Sequence, residues 1–361
     1  MIEIDFERLR SLGLTPALAA DAAGLSIAPA ENGRLVRLIE VHRKTVALHD
    51  GVRETAAPVL PRLLHALDDE GSALAVGDWV VAADAHGSCW VHARLPPHTH
   101  IARRDADGRR HAVVSNVDTA LLVMGLDDDF NPRRLERYLV LVRACGVYPV
   151  VVLTKADVVA TTPGRLDDRL AALRGRVPVQ VDVIAVDATG PAAAVALTPY
   201  LGAGQTLVVL GSSGAGKSTL TNTLLGAHTQ DTGTVRESDG RGMHTTTSRS
   251  LHRLPGGACV IDTPGVRTLR PDTDAATLAA SFEDIESLSS RCRFRDCRHQ
   301  DEPGCAVQAG VDHDRLRNYQ KLLRESRRDT LGVLDRQRQA AVWKARGRAT
   351  RAWMKVKRGD A

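Results

Sequence analysis

No apolar run in this 361-residue chain is long enough to span a bilayer, which argues against a helical membrane protein. A secretory leader is also missing. Met1-Ile-Glu-Ile-Asp-Phe-Glu-Arg8 is acidic and has no apolar core, so a cytoplasmic protein with no membrane partner is expected. Cysteine is sparse: six in a chain of this length do not make a disulfide framework. Cys89, Cys145 and Cys259 fall in apolar stretches and read as packing residues. What is present, 43% apolar and 25% charged residues, is ordinary for a globular protein of two or three domains. The net charge of +5 is small but uneven. After Val311 there are about fifteen Lys and Arg against about six acidic residues. That balance fits a nucleic-acid-facing tail, or equally a solvated helix.

The chain is organised around Gly211-Ser-Ser-Gly-Ala-Gly-Lys-Ser218, which fits GxxxxGK[ST]. A short buried-strand pattern, Thr206-Leu-Val-Val-Leu210, precedes it, and a helix-forming run from Thr219 to Leu225 follows. Gly211, Gly214 and Gly216 permit the tight turn, so that the backbone N–H groups of Ser212, Ser213, Ala215 and Thr219 face phosphate oxygens. Lys217 is expected on the β- and γ-phosphates and the Ser218 hydroxyl on Mg2+. The helix beginning near Lys217 adds its positive end.

In chain order, residues 1–32 form an N-terminal arm. Phe6, Leu9, Leu12 and Leu14 recur near helical spacing there, as in a docking helix or a mobile arm. Closely spaced short strands over 33–97 predict a small β-barrel, with the OB-fold as one form. Trp79, Trp90, Arg37, Arg43 and Lys44 would suit RNA binding on it, although each tryptophan taken singly reads better as barrel core. Residues 98–112, rich in His and Arg, read as an exposed linker. From 113 to 280, strand patterns at Thr119–Met124, Val150–Leu153, Val181–Val186, Thr206–Leu210 and Ala258–Ile261 alternate with helical ones. These predict a mostly parallel sheet covered on both faces. Asn131 is the expected N-cap of one helix, with Pro132 at its first position.

Two tetrapeptides at strand ends turn a triphosphate site into a guanine site. In Thr154-Lys-Ala-Asp157, Asp157 can accept from guanine N1–H and the 2-amino group, with Lys155 along the base and Thr154 and Ala156 completing the loop. In Asp262-Thr-Pro-Gly265, Asp262 can hold the Mg2+ shell while the Gly265 N–H meets the γ-phosphate. Val186-Asp-Ala188 falls where a weaker base-contacting loop belongs. The guanine motif lies upstream of the phosphate loop, and Asp262–Gly265 closes the domain. That is the order a circular permutation produces. Gly240-Arg-Gly-Met-His-Thr-Thr-Thr247 lies where a switch loop belongs. Thr246 is chosen by position as its Mg2+ ligand, with Thr245 and Thr247 open. Farther on, Cys292, Cys297, His299 and Cys305 lie within fourteen residues and satisfy a tetrahedral Cys3His zinc site.

The permuted order, the Gly240–Thr247 segment, Asp262–Gly265, the small N-terminal barrel and the Cys/His cluster together resemble the ribosome small subunit-dependent GTPase A family, over about residues 33–330. The resemblance implies a multidomain fold: an OB-fold barrel, a circularly permuted P-loop GTPase domain (113–280) and a helical zinc-binding domain (281–330), followed by a basic helix or tail (331–361). It implies GTP/GDP, Mg2+ and one Zn2+ per chain, and a monomer bound to the small ribosomal subunit and its rRNA. GTP hydrolysis, stimulated by the ribosome, would trigger release late in small-subunit maturation. Arg317, Lys321, Arg324, Arg327 and Arg328 fall near helical spacing and would form an RNA-facing stripe.

Two residues depart from the common GTPase pattern. Thr154 replaces the usual Asn, and the loss of an amide that braces the phosphate loop is expected. Val266 stands where Ras-like enzymes carry a catalytic Gln, so His244 is the candidate for orienting water, against an exposed loop histidine. Two rival readings are an RNA chaperone with a barely hydrolytic regulatory nucleotide site, and an ATP-dependent small-molecule kinase, which Asp157 argues against.

Overall fold

The N-terminal stretch is docked. The Asp5 carboxylate accepts from the Arg8 N–H and opens α1 (Phe6–Arg10). The Thr15 hydroxyl accepts from the Leu18 N–H, and Pro16 follows it to open α2 (Pro16–Gly24). Leu9, Leu12, Leu14 and Leu18 are all buried, each contributing roughly 1.5–3 kcal/mol. The computed structural model describes residues 2–25, 33–85, 87–104, 110–226, 249–264, 270–271 and 275–329. They fall in two units, Met1–Pro271 and Asp272–Ala361.

Next come β1 (Arg34–Val41), β2 (Thr45–His49), β3 (Glu54–Pro58), α3 (Pro61–Asp69), β4 (Trp79–Ala85) and β5 (Ser88–Arg94). Antiparallel pairing runs β3-β2-β1-β4-β5. A bridge between Val59 and Val91 joins the end of β3 to β5 and completes the circuit. Five strands closed in this order, with a helix between the third and fourth, make a small OB-type barrel. Trp79 is fully buried in its core, while Arg43 and Lys44 are exposed.

Arg37 corrects the expectation of an RNA-facing residue. It is 0% exposed. Its guanidinium donates to Leu12 O, to Thr206 Oγ1 at 3.0 Å and to Asn116 O at 2.8 Å, and lies 5.2 Å from the Trp79 ring centre. It therefore ties the N-terminal arm and the barrel to the first residue of the strand that leads to the phosphate loop. Arg37→Met should leave these acceptors unpaired and cost about 3 kcal/mol or more of stability, read as a lower urea midpoint. Unchanged stability with weakened RNA binding would overturn this placement.

Residues 98–112, expected as an exposed linker, instead contribute the paired strands β6 (His100–Arg104) and β7 (Arg110–Ser115). Ile101 and Ala102 are buried, and His98 and His100 are bonded to Asp21 (2.7 Å) and Ser115 (2.8 Å). Two adjacent apolar residues, Ile101 and Ala102, flanked by polar ones and bulged between them in the pairing, give no strand periodicity that stands out in sequence.

The nucleotide domain holds β8 (Thr119–Gly125), α4 (Pro132–Ala144), β9 (Tyr148–Thr154), α5 (Ala156–Ala160), α6 (Arg165–Leu173), β10 (Val183–Ala185), α7 (Pro191–Leu197), β11 (Thr206–Gly211), α8 (Lys217–Leu225), β12 (Ser250–Arg253) and β13 (Cys259–Asp262). The sheet order is β10-β9-β8-β11-β13-β12, parallel except for the antiparallel edge β12. The middle residues of its central strands β8, β9 and β11 are wholly apolar and buried because both faces are covered. Leu122, Val151, Val208 and Ile261 pack on one side, and Leu121, Val150, Leu207 and Val260 on the other. Asn131 Oδ1 accepts from the Arg134 N–H at 3.0 Å and caps α4 as expected. β12 also meets β1 through a Glu40–Ser250 bridge, and β14 (Arg270–Pro271) pairs with β6.

The second unit contains α9 (Ala275–Ala280), α10 (Glu283–Ser289), α11 (Ala306–Gly310) and α12 (His313–Asp329). Phe282 meets Tyr319 edge-on at 5.2 Å, and Arg315 donates twice to Asp284, each bond 2.7 Å. Because α9 packs on α10 and α12, the boundary falls at 271/272 and not at 280/281. On α12, Leu316, Tyr319 and Leu322 face inward, and Arg317, Lys321, Arg324 and Arg327 are exposed. Residues 331–361, including the tail, lie outside the described residues, as does the side chain of Arg328. No helix among the described residues is long and apolar enough to cross a membrane.

Candidate active site and metal centre

β11 delivers the loop at the carboxyl ends of the parallel strands, where open α/β sheets bind ligands. Two glycines are dictated by close approach. A Cβ on Gly211 would lie 2.4 Å from Val123 O, and Gly216, at φ +88°, caps α8 with Thr154 Oγ1 3.2 Å from where its Cβ would be. Lys217, the first residue of α8, is buried, and its Nζ donates to Ser212 O at 2.7 Å. Burial lowers the pKa of this amine, while the carboxylates of Asp262 and Asp129 oppose the shift. A buried ammonium in the field of two carboxylates is suited to a polyanionic ligand that arrives with a divalent metal. Asp262 ends β13 and is 0% exposed. Its carboxylate accepts from the Thr263 N–H at 2.9 Å, and the Thr263 hydroxyl donates to Val209 O at 2.6 Å.

The Thr154–Asp157 segment lies alongside. The Thr154 hydroxyl donates to Ala215 O at 2.6 Å, inside the phosphate loop. This corrects the expectation of a lost brace: a buried hydroxyl makes the bond that an amide was expected to supply. Lys155 takes the left-handed conformation, φ +61°, and its Nζ bonds Asp127 Oδ2 at 2.6 Å. Ala156 N–H donates to Val186 O at 3.3 Å, and the Thr223 hydroxyl on α8 donates to Ala188 O at 2.7 Å, so the Val186–Ala188 segment lies beside both loops. Asp157 is exposed in the first turn of α5. His244, Thr246 and Gly265 lie outside the described residues.

Sequence reasoning missed the loop between β8 and α4. Asp127 holds Lys155, and Asp129 Oδ1 accepts from the Ser212 hydroxyl at 2.6 Å while pairing with Arg134 at 2.6 Å. The available signal was three consecutive acids, Asp127-Asp-Asp129, directly after a buried strand.

In the second unit Cys292, Cys297, His299 and Cys305 converge, with their ligand atoms all within 4.8 Å of one another. Cys292 Sγ lies 3.9 Å from Cys305 Sγ, and His299 Nδ1 lies 3.6 and 3.5 Å from those sulfurs. Tetrahedral zinc with bonds of about 2.3 Å to sulfur and 2.0 Å to nitrogen requires edges of about 3.8 and 3.5 Å. The residues fit the ion. Burial, and then the Cys305 and Cys292 thiols beside it, push the Cys297 thiol up to about 11, a shift that a bound cation would oppose by favouring the thiolate. His299 reaches the site from a left-handed backbone, φ +57°, and its carbonyl accepts from Gln320 Nε2 on α12 at 2.7 Å. Gln320 is a supporting residue that spacing did not reveal.

Phosphate loop, brace and strand order together define a circularly permuted P-loop GTPase fold. Two solved structures share it: YjeQ from Thermotoga maritima, with TM-score 0.56 and 22% identity over 81% of this chain and 98% of that one, and YloQ, described as a circularly permuted GTPase, with TM-score 0.55 and 20% identity over 85% and 100%. By sequence the chain belongs to the RsgA GTPase family, whose model matches residues 94–271. It is 43% identical over 331 residues to the small ribosomal subunit biogenesis GTPase RsgA of Xanthomonas oryzae pv. oryzae, covering 89% of each chain. To the protein of that name from Xanthomonas axonopodis pv. citri it is 45% identical over 297 residues, covering 80% of each.

Proposed function

We propose that this chain is a GTP hydrolase that binds the small ribosomal subunit late in its maturation, is stimulated by it and leaves after hydrolysis. The observation that carries this reading is the Thr154–Ala215 bond, which fixes a guanine-type loop against a phosphate loop, in a chain whose relatives are named small ribosomal subunit biogenesis GTPases. In this reading Gly211–Thr219 cradle the phosphates, and Asp157 selects guanine with Thr154, Lys155 and Ala156. Ser218, Thr246 and Asp262 hold Mg2+, which neutralises charge on the β- and γ-phosphates when bound. Gly265 meets the γ-phosphate and His244 orients water. One zinc at Cys292, Cys297, His299 and Cys305 stiffens the second unit. The exposed arginines and lysine of α12 and the barrel's Arg43 and Lys44 grip rRNA phosphates, and the protein works as a cytoplasmic monomer.

The test is phosphate release from GTP and from ATP, with and without purified small subunits. Release should be selective for GTP, slow alone and faster with subunits by about 10²-fold or more, within the range partners supply. His244→Ala should lose most of that stimulation and retain GTP binding. Turnover that ignores the subunits would leave the chaperone reading, and a preference for ATP the kinase reading.

A further inference from the structure

One six-residue loop, 126–131, touches both nucleotide-binding segments. Its Asp127 carboxylate takes Lys155 Nζ at 2.6 Å with one oxygen and the Asp129 N–H at 3.2 Å with the other. The Asp129 carboxylate accepts the Ser212 hydroxyl at 2.6 Å, the Arg134 guanidinium at 2.6 Å and the Gly125 N–H at 3.1 Å. A continuous set of contacts thus runs from the guanine loop to the phosphate loop. It is separate from the Thr154–Ala215 bond on the other side. Asp129 is 14% exposed and Arg134 22%. A carboxylate this far from water is retained at a cost, which Arg134 and the Gly125 N–H offset. A serine donating so short a charge-assisted bond to a clamped carboxylate is restricted in rotamer, and its backbone is held accordingly.

We propose that Asp129 is a positioning residue for nucleotide binding. Clamped by Arg134, its carboxylate fixes Ser212 and with it the register in which the phosphate loop presents its N–H groups. Arg134 acts only through Asp129, and Asp127 extends the same bracket to Lys155. The proposal rests on the reading of Gly211–Ser218 as the phosphate loop. Preorganised donors lose affinity when their support loosens, because ordering the loop then falls to the ligand.

The experiment is equilibrium binding of a fluorescent GTP analogue to the full chain, in a double-mutant cycle of Asp129→Ala and Ser212→Ala. Asp129→Asn is included as the isosteric variant and Lys217→Ala as a control. Each single alanine variant should weaken binding about tenfold, the scale of one charge-assisted hydrogen bond. The double variant should be no weaker than the worse single one. Asp129→Asn, which keeps an acceptor for Ser212, should recover to within about threefold of the parent. Thermal melts without nucleotide establish that each variant is folded, and a variant that is not folded is replaced in the cycle by one of similar size that still lacks the hydroxyl–carboxylate bond, Asp129→Leu or Ser212→Cys. A merely structural role would lower melting temperature and leave the folded fraction's affinity unchanged. That result, or losses that simply add, overturns the proposal. Lys217→Ala separates the two readings: if it retains GTP binding, the phosphate-loop assignment itself falls.

Discussion

Lys217→Ala should bring GTP turnover down by at least about 10³-fold, the range in which loss of one transition-state charge contact falls. The amine occupies a buried position at the start of α8, feels the carboxylates of Asp262 and Asp129, and donates a hydrogen bond to Ser212 O. The Nζ bond to Ser212 O lies within the loop itself, and a phosphate oxygen would take that carbonyl's place. Lys217→Arg should not restore activity, because a planar fork cannot occupy a channel shaped for a compact ammonium. The check is steady-state phosphate release beside a melting curve of the nucleotide-free protein. A variant within tenfold of the parent rate would remove Lys217 from the phosphate site.

The second large effect concerns zinc. The purified chain should carry about one zinc per molecule, and Cys305→Ser should release it and unfold residues 275–329. Structural zinc in small domains contributes roughly 10–16 kcal/mol. The helices here bury few large side chains, chiefly Leu278, Phe282, Ile285, Leu316, Tyr319 and Leu322. Cys305 is the most consequential ligand because it also caps α11, its sulfur accepting from the Gln308 N–H at 3.4 Å. GTP binding by Met1–Pro271 should persist, since the phosphate and guanine loops both lie in that unit. Zinc content by atomic absorption and amide exchange over α10–α12 would decide. A metal-free chain with full protection there would overturn the assignment.

Much of the site was legible because its chemistry is local. Glycine spacing, a lysine and a serine in one octapeptide, set between a buried-strand pattern and a helical run, form a phosphate-loop motif, and three Cys and one His within fourteen residues are close enough to share one metal ion. Strand ends placed Thr154–Asp157 and Asp262 on one edge of the sheet. Arg37 was misread because a strand pattern cannot distinguish a barrel's outer face from a seam against another domain. Thr154 was misread because a side chain's identity does not say which atom it meets: the Ala215 carbonyl needs a donor, and a hydroxyl is one.

The sequence by itself determined the phosphate-loop motif, the permuted order of motifs and the Cys/His cluster. Each follows from a few residues close together, whose physical requirements do not depend on the rest. Only the tertiary structure decided that Arg37 is the buried tie between barrel and nucleotide domain, that residues 98–112 pair as strands, and that Asp127 and Asp129 bracket the two nucleotide loops. The Arg37–Thr206, Asp127–Lys155 and Asp129–Ser212 bonds join residues 169, 28 and 83 positions apart. Nothing in local spacing encodes these three, because they exist only once β1, β8, β9 and β11 are brought together.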